Sequence, residues 1–345
     1  MNILITLYST SWGGAEESVI NLAEEISKFN KVILLWVSNY SFPRPLVTQS
    51  KVKIVYLRLN PNIYKLLSSW IVVLICLYYR IQIVNLNWRF VREEGLFLRF
   101  TRVKSVSTLR AILFDRINCE EFKNTDAIIG VSKATVRQIK KLGYRKPCYT
   151  IYNGIPVERL KLFNTKQYSP QKALSMSRLV AWKRVDWSIK AIHLLHSKGM
   201  PIKLDIYGDG PENVKLRELI IELGAGKYIF LRGYVNNNSD VLKDYGIFLI
   251  PSFKEPFGKT IIENVIRGRV IVGSRSGGIP ELLPEYDLLF KYDNFDDYVK
   301  KIKKAYNKYD LYAKNISARS NMFRRMYNIQ RVAKSYIRVY QKIIG

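Results

Sequence analysis

Residues 247–263 read Ile247-Phe248-Leu249-Ile250-Pro251-Ser252-Phe253-Lys254-Glu255-Pro256-Phe257-Gly258-Lys259-Thr260-Ile261-Ile262-Glu263. The apolar run at its start gives a buried strand, Pro251 ends it, and a helix is expected from Thr260 to about Arg267. Gly258 lets a ligand approach the backbone closely. The amides of Gly258, Lys259 and Thr260 open the helix, and a helix start is a natural diphosphate site. Glu255 precedes the helix and Glu263 lies about one turn inside it. One carboxylate can therefore face the sugar side of a nucleotide while the other reaches a ribose diol.

The same alternation of strand, loop and helix extends in both directions. Towards the N-terminus, strands are expected at Asn2–Leu7, Lys31–Val37, Lys53–Leu57, Ile81–Leu86 and Ala127–Val131. The turn Ser11-Trp12-Gly13-Gly14-Ala15-Glu16 leads into a helix to about Phe29, and Ser132 is placed to cap another. A polar lapse at 163–172 reads as a linker. Strands then resume at Ala173–Met176, Ile202–Tyr207, Tyr228–Leu231, Ile247–Ile250 and Val270–Gly273, with a helix at Val185–Lys198. The chain of 345 residues suits two domains of roughly 150 each. The expected architecture is α/β, with doubly wound domains at 1–164 and 170–318 and a ligand cleft outside the carboxyl ends of the strands. A basic helical segment, 319–345, can cross back to the first domain.

Further loops stand at equivalent places after strands. Ser177-Arg178-Leu179 with Lys183 supplies two cations, while Tyr207-Gly208-Asp209-Gly210-Pro211 and Ser276-Gly277-Gly278-Ile279-Pro280-Glu281 supply glycine turns. Each is weak alone, since a lone cation also fits a loop salt bridge and Gly13-Gly14 also fits a plain helix entry. Their order along the chain is specific.

In this order, together with Gly130-Val131-Ser132, Tyr152-Asn153-Gly154-Ile155 and Gly233-Tyr234-Val235, the motifs resemble the retaining glycosyltransferases of family 4. These have the GT-B fold of two facing Rossmann-like domains. The resemblance runs to about residue 283. It implies that Glu255, Arg178 and Lys183 are the catalytic set, with Arg178 and Lys183 neutralising the leaving diphosphate and Glu255 binding hydroxyls of the transferred sugar. Gly258, Lys259, Thr260 and Glu263 would bind the donor, and Gly13 and Gly14 would close over it. No cofactor and no metal is expected. The family is described as metal-independent, and no Asp-x-Asp motif occurs in the chain.

The chain also departs from the pattern. Where relatives carry a histidine after the fourth strand it reads Asn85-Leu86-Asn87-Trp88, and Arg110 replaces a second histidine. Asn87 and Arg110 are therefore acceptor-side candidates, with Asn87 binding rather than ionising. His193 and His196, the two histidines present, fall on a helix of the second half and read as structural.

The implied activity is transfer of a hexose from a uridine or guanosine diphosphate sugar to a glycan or lipid-linked glycan in surface polysaccharide synthesis. A nucleotide-sugar epimerase would share the fold, but its acid–base carboxylates and histidines are not evident. A basic nucleic-acid-binding protein fits the net charge of +28, from 56 Lys and Arg against 28 Asp and Glu. It finds no helix-turn-helix, zinc or aromatic-sheet signature, so nucleic acid is not an expected partner.

The basic excess gathers at Arg89, Arg92, Arg99, Arg102, Lys104, Arg110 and Arg116, and again from Tyr298 to Lys342, where Asp310 is the single acid. Both a solvated face and an anionic membrane surface fit these clusters. The most apolar window, Trp70–Tyr79, is too short to span a bilayer and reads as a buried helix, with shallow lipid contact as the alternative. Cys76, Cys119 and Cys148 lack metal spacing and imply no disulfide framework. No signal peptide is expected at the N-terminus. The expected location is cytoplasmic, peripheral on the inner face of the cell membrane.

Overall fold

The computed structural model describes residues 1–9, 13–39, 51–87, 90–112, 119–284 and 286–345. Ser11, Trp12, Trp88, Arg89 and Arg116 lie outside them. The chain forms two compact units, Met1–Pro156 with Tyr327–Gly345, and Val157–Met326.

The first unit is built on seven parallel strands: β1 (Asn2–Ser9), β2 (Lys31–Ser38), β3 (Lys53–Arg58), β4 (Ile83–Asn87), β5 (Lys104–Leu109), β6 (Ala127–Gly130) and β7 (Cys148–Thr150). Their order is β3-β2-β1-β4-β5-β6-β7. Helices α1 (Gly14–Ser27), α2 (Pro61–Tyr79), α3 (Val91–Glu94) and α4 (Lys133–Lys141) connect them. Strands β1 and β2 are apolar along most of their length because both faces of the sheet are covered there. Ile3, Ile5 and Leu7 of β1 pack with Val19, Leu22 and Ile26 of α1, whereas Leu4 and Tyr8 pack with Tyr64, Val72 and Cys76 of α2. Ser132 caps α4 in a reciprocal capping box with Thr135.

The second unit repeats the plan on six parallel strands: β8 (Ser169–Met176), β9 (Lys203–Tyr207), β10 (Ile229–Gly233), β11 (Tyr245–Ile250), β12 (Val270–Ser274) and β13 (Leu289–Phe290), ordered β10-β9-β8-β11-β12-β13. Its helices are α5 (Val185–Ser197), α6 (Asn213–Glu222), α7 (Lys259–Ile266), α8 (Ile279–Leu282), α9 (Phe295–Asn307) and α10 (Tyr309–Met326). Helix α11 (Ile329–Ile344) then belongs to the first unit, where Val332, Tyr336 and Tyr340 join the α1 side of the core.

Two expectations need correction. The polar stretch at 163–172 is not the boundary: β8 begins inside it, and the Tyr168 hydroxyl donates to the Arg267 carbonyl at 3.0 Å. The units divide at Pro156 and at Tyr327, and the basic segment 319–345 is two elements, because Asn328 caps a new helix after α10 ends. The apolar window at Trp70 is not a buried helix either. Helix α2 is 19 residues long, and Leu66, Trp70, Leu74 and Leu77 are exposed along it. Its residues are apolar on both faces, and one face alone meets the sheet.

Candidate functional site

In the second unit the crossovers leave β8 towards β9 and β10, and leave β11 towards β12 and β13. The loops after β8 and β11 diverge at this reversal of strand order, the point where doubly wound sheets bind ligands. Lys183 and Glu255 come from those two loops. Lys183 Nζ donates to Glu255 Oε2 at 2.5 Å, with 14% and 9% of their side chains exposed. The ammonium also lies over the Trp182 ring, 4.2 Å from its centroid.

Strained backbone flanks this pair. Lys254, before Glu255, has φ 53°, and Arg184, after Lys183, has φ 49°. Such left-handed residues cost about 1–2 kcal/mol each and persist where surrounding contacts hold them. Lys254 N–H donates to Ser276 Oγ at 2.8 Å. The Arg184 guanidinium covers the Trp187 and Phe253 rings at 4.5 and 5.2 Å and donates to Asp293 Oδ1 at 2.7 Å. Phe253 N–H donates to the Trp182 carbonyl at 2.7 Å, joining the two loops directly.

The turn at Ser276–Gly278 braces the Glu255 loop from behind. Gly278 N–H donates to the Glu255 carbonyl at 2.8 Å, and a Cβ on Gly277 would lie 1.9 Å from that same oxygen. Gly208 braces Ser177 by an equally close approach. Among the described residues, these turns support the loops that carry Arg178, Lys183 and Glu255. Arg178 itself is exposed, with no ion-pair partner among the described residues.

Gly258 opens α7 with φ 95°, and an added Cβ would meet Ile261 Cδ1 at 2.9 Å, so this position requires glycine. The helix start at Lys259 and Thr260 is thereby set beside the Glu255 loop. Glu263 is buried on α7. It accepts from Asn237 Nδ2 at 2.5 Å, and Lys259 Nζ is 3.6 Å from its other oxygen. Asn237 is fixed in turn by Arg267, which donates to its side chain and its carbonyl at 2.7 Å each. Sequence reasoning did not find Asn237 or Arg267, whose signal is a partner distant in sequence.

In the first unit the strand order reverses between β1 and β4. Asn87 ends β4, donates to the Thr6 carbonyl at 3.0 Å and accepts from Arg110 Nε at 3.2 Å. Arg110 also donates to Asn153 Oδ1. Thr6 Oγ1 donates to Glu94 at 2.8 Å, and Tyr64 of α2 donates to the other Glu94 oxygen at 2.7 Å. Burial pushes the Glu94 carboxyl up to about 8 despite those two hydrogen bonds. Asn87 and Arg110 thus meet, and Glu94, unmarked in the sequence, sits behind them.

Gly13 caps α1 in extended backbone, and a Cβ on Gly14 would meet nothing within 4 Å. Among the described residues, neither position requires glycine for its own conformation. His193 Nδ1 is 2.8 Å from the Tyr228 hydroxyl, and His196 stacks on the same ring at 3.7 Å, as expected of structural residues.

Comparison with known proteins agrees with this geometry. Residues 158–322 match the family model for glycosyl transferases group 1, and residues 12–159 match that for Glycosyltransferase Family 4. The chain belongs to the family 4 glycosyltransferases and has their GT-B fold. Over 169 residues it is 35% identical to the GtfA subunit of the UDP-N-acetylglucosamine–peptide N-acetylglucosaminyltransferase of Streptococcus agalactiae, a match covering 47% of this chain and 33% of that one. Over 163 residues it is 28% identical to the lipopolysaccharide core biosynthesis glycosyltransferase LpsE of Rhizobium meliloti, covering 46% of each. The chain therefore spans less than half the length of these relatives. The solved structure of Anabaena HepE with UDP and glucose superposes with a TM-score of 0.84 at 18% identity, covering 99% of this chain and 100% of that one, a likeness of fold.

Proposed function

We propose that this protein is a retaining, metal-independent glycosyltransferase that moves a hexose from a nucleoside diphosphate sugar, uridine before guanosine, to a glycan or lipid-linked glycan. The acceptor belongs to surface polysaccharide synthesis on the inner face of a membrane. The observation that carries the reading is the Lys183–Glu255 pair at the ends of β8 and β11, beside the α7 start opened by Gly258.

In this account Lys183 and Arg178 take up the charge that develops on the departing diphosphate, and the α7 amides add the positive end of a helix dipole. Glu255 accepts hydroxyls of the sugar, and Glu263 accepts the ribose diol, held at its angle by Asn237. The acceptor oxygen bonds to the anomeric carbon on the face from which the diphosphate leaves, and its proton passes to the leaving phosphate oxygen. That route asks no ionising base of Asn87, which with Arg110 binds the acceptor. The uridine preference is supported by the UDP-dependent relative and the UDP-bound structural neighbour.

The test is incubation with UDP- and GDP-sugars, a glycan acceptor and excess chelator, followed by NMR of the product. Retained anomeric configuration with activity undiminished by chelator is expected. An inverted product, or turnover abolished by chelator and restored by a divalent ion, would overturn the reading.

A further inference from the structure

Helix α2 is the crossover between β3 and β4, and Tyr64, Val72 and Cys76 fix its inner face on the sheet. Its outer face is the anomaly. Ile63, Leu66, Trp70, Leu74, Leu77 and Tyr78 recur at helical spacing and form one apolar stripe along the helix. Leu66 and Tyr78 are each 78% exposed, Leu77 67% and Trp70 59%. Phe100, 72% exposed, extends the patch through Phe97, whose ring lies 4.8 Å from that of Trp70. Soluble surfaces seldom carry so continuous an apolar face, and where one occurs it marks an interaction site.

Charge decides the occupant. No acid lies within α2, and cations stand at both ends of the stripe. Lys53 and Lys31 lie over the Tyr79 ring at 4.8 and 5.7 Å, next to exposed Arg80. Towards the other end is Lys65, whose ammonium also stands 3.6 Å from Glu93, and beside the stripe are Arg99 over Phe100 at 4.5 Å and exposed Arg92 and Arg102. Two copies of a chain carrying a net charge of +28 would bring these like-charged rims together, which disfavours a self-interface. An apolar stripe with aromatic residues and a cationic rim suits the boundary between anionic headgroups and acyl chains. Among the described residues α2 is the one helix long and apolar enough to cross a bilayer. Its inner face is committed to the sheet, which leaves only the outer stripe to meet a bilayer.

We infer that the outer face of α2, with Phe100, docks the protein on an anionic bilayer by inserting its apolar stripe at the headgroup boundary. The docking stands independently of the transferase reading, although the two meet at Tyr64. That residue belongs to the inner face of α2 and donates to Glu94, one hydrogen bond from Thr6 and two from Asn87.

The test is co-sedimentation of the full chain with vesicles of phosphatidylcholine alone and with about a third phosphatidylglycerol, at low and high salt. The chain is expected to prefer the anionic vesicles by about tenfold or more, a preference weakened by salt. A variant combining Leu66→Glu, Trp70→Glu and Leu74→Glu is expected to lose about tenfold or more in vesicle binding. Because these side chains are exposed, its far-UV circular dichroism should be unchanged, and so should stabilisation by UDP, which reads the second unit. Equal binding to both vesicle types, or a folded variant that sediments like the parent chain, would overturn the inference. So would a dimer dissolved by the variant in the absence of vesicle binding.

Discussion

Gly277→Ala tests whether the turn behind Glu255 sets the position of that carboxylate. An alanine there adopts φ near +60°, which costs about 1 kcal/mol. Its Cβ would stand 1.9 Å from the Glu255 carbonyl oxygen, where contact distance is about 3.4 Å, so the loop must move by more than an ångström. That movement costs about 1–3 kcal/mol and breaks the Gly278 N–H bond to the same oxygen, about 1 kcal/mol more. The expected loss of stability is therefore about 3–5 kcal/mol. If the Glu255 backbone yields instead, a displacement of about 1 Å lowers the transfer rate by about a hundredfold. Thermal unfolding and initial transfer rates measure the two outcomes. Gly226→Ala is the control, since its Cβ meets nothing within 4 Å, and a change within about 0.5 kcal/mol is expected there. A Gly277→Ala protein with the stability and rate of the parent would refute the bracing argument.

Three further outcomes follow. Glu94 is held near 8, above its ordinary 4.5, so the stability of the first unit is fullest below about 4.5 and falls as pH rises through 8. Glu94→Gln should remove that slope, worth a few kcal/mol at most, and parallel curves of thermal midpoint against pH would contradict it. Arg269 is completely buried and donates to the Tyr245 carbonyl at 3.0 Å, to Asn264 Oδ1 at 2.7 Å and to the Leu242 carbonyl. Arg269→Met leaves these acceptors without their donor and should cost about 3–5 kcal/mol in thermal unfolding. Asn153→Ala leaves Arg110 held by Asn87 alone among the described residues, and acceptor KM should rise about fivefold with UDP affinity unchanged. An unchanged KM would detach Arg110 from the acceptor.

What could be read from the sequence follows from what is local. Strands β1, β2, β11 and β12 were legible because burial on both faces makes them unbroken apolar runs. Strand β5 was not, since Ser105, Ser107 and Thr108 interrupt its pattern. Thr108 is satisfied only in the fold, where its hydroxyl donates to Asn85 at 2.8 Å. The window at Trp70 read first as a buried helix, with shallow lipid contact as the alternative, because periodicity counts apolar residues without showing which of them meets a sheet. In the site, Glu255, Gly258 and Glu263 stood out through spacing within one loop and helix. Glu94, Asn237 and Arg267 did not, because their partners Tyr64, Glu263 and Lys161 lie 26 to 106 positions away in the chain. The linker was misplaced for a related reason. Polar composition at 163–172 resembles a loop, but its second half is the exposed start of β8.

The most direct test of the central claim is calorimetric titration of UDP into the parent chain, Lys183→Met and Glu263→Gln, at one fixed ionic strength. A charged hydrogen bond is worth about 1.5–3 kcal/mol, so each variant should bind UDP about 10- to 100-fold more weakly than the parent. A parent chain that fails to bind UDP at about millimolar concentration, or variants that bind it as tightly as the parent, would contradict the assignment of this site to the nucleotide donor.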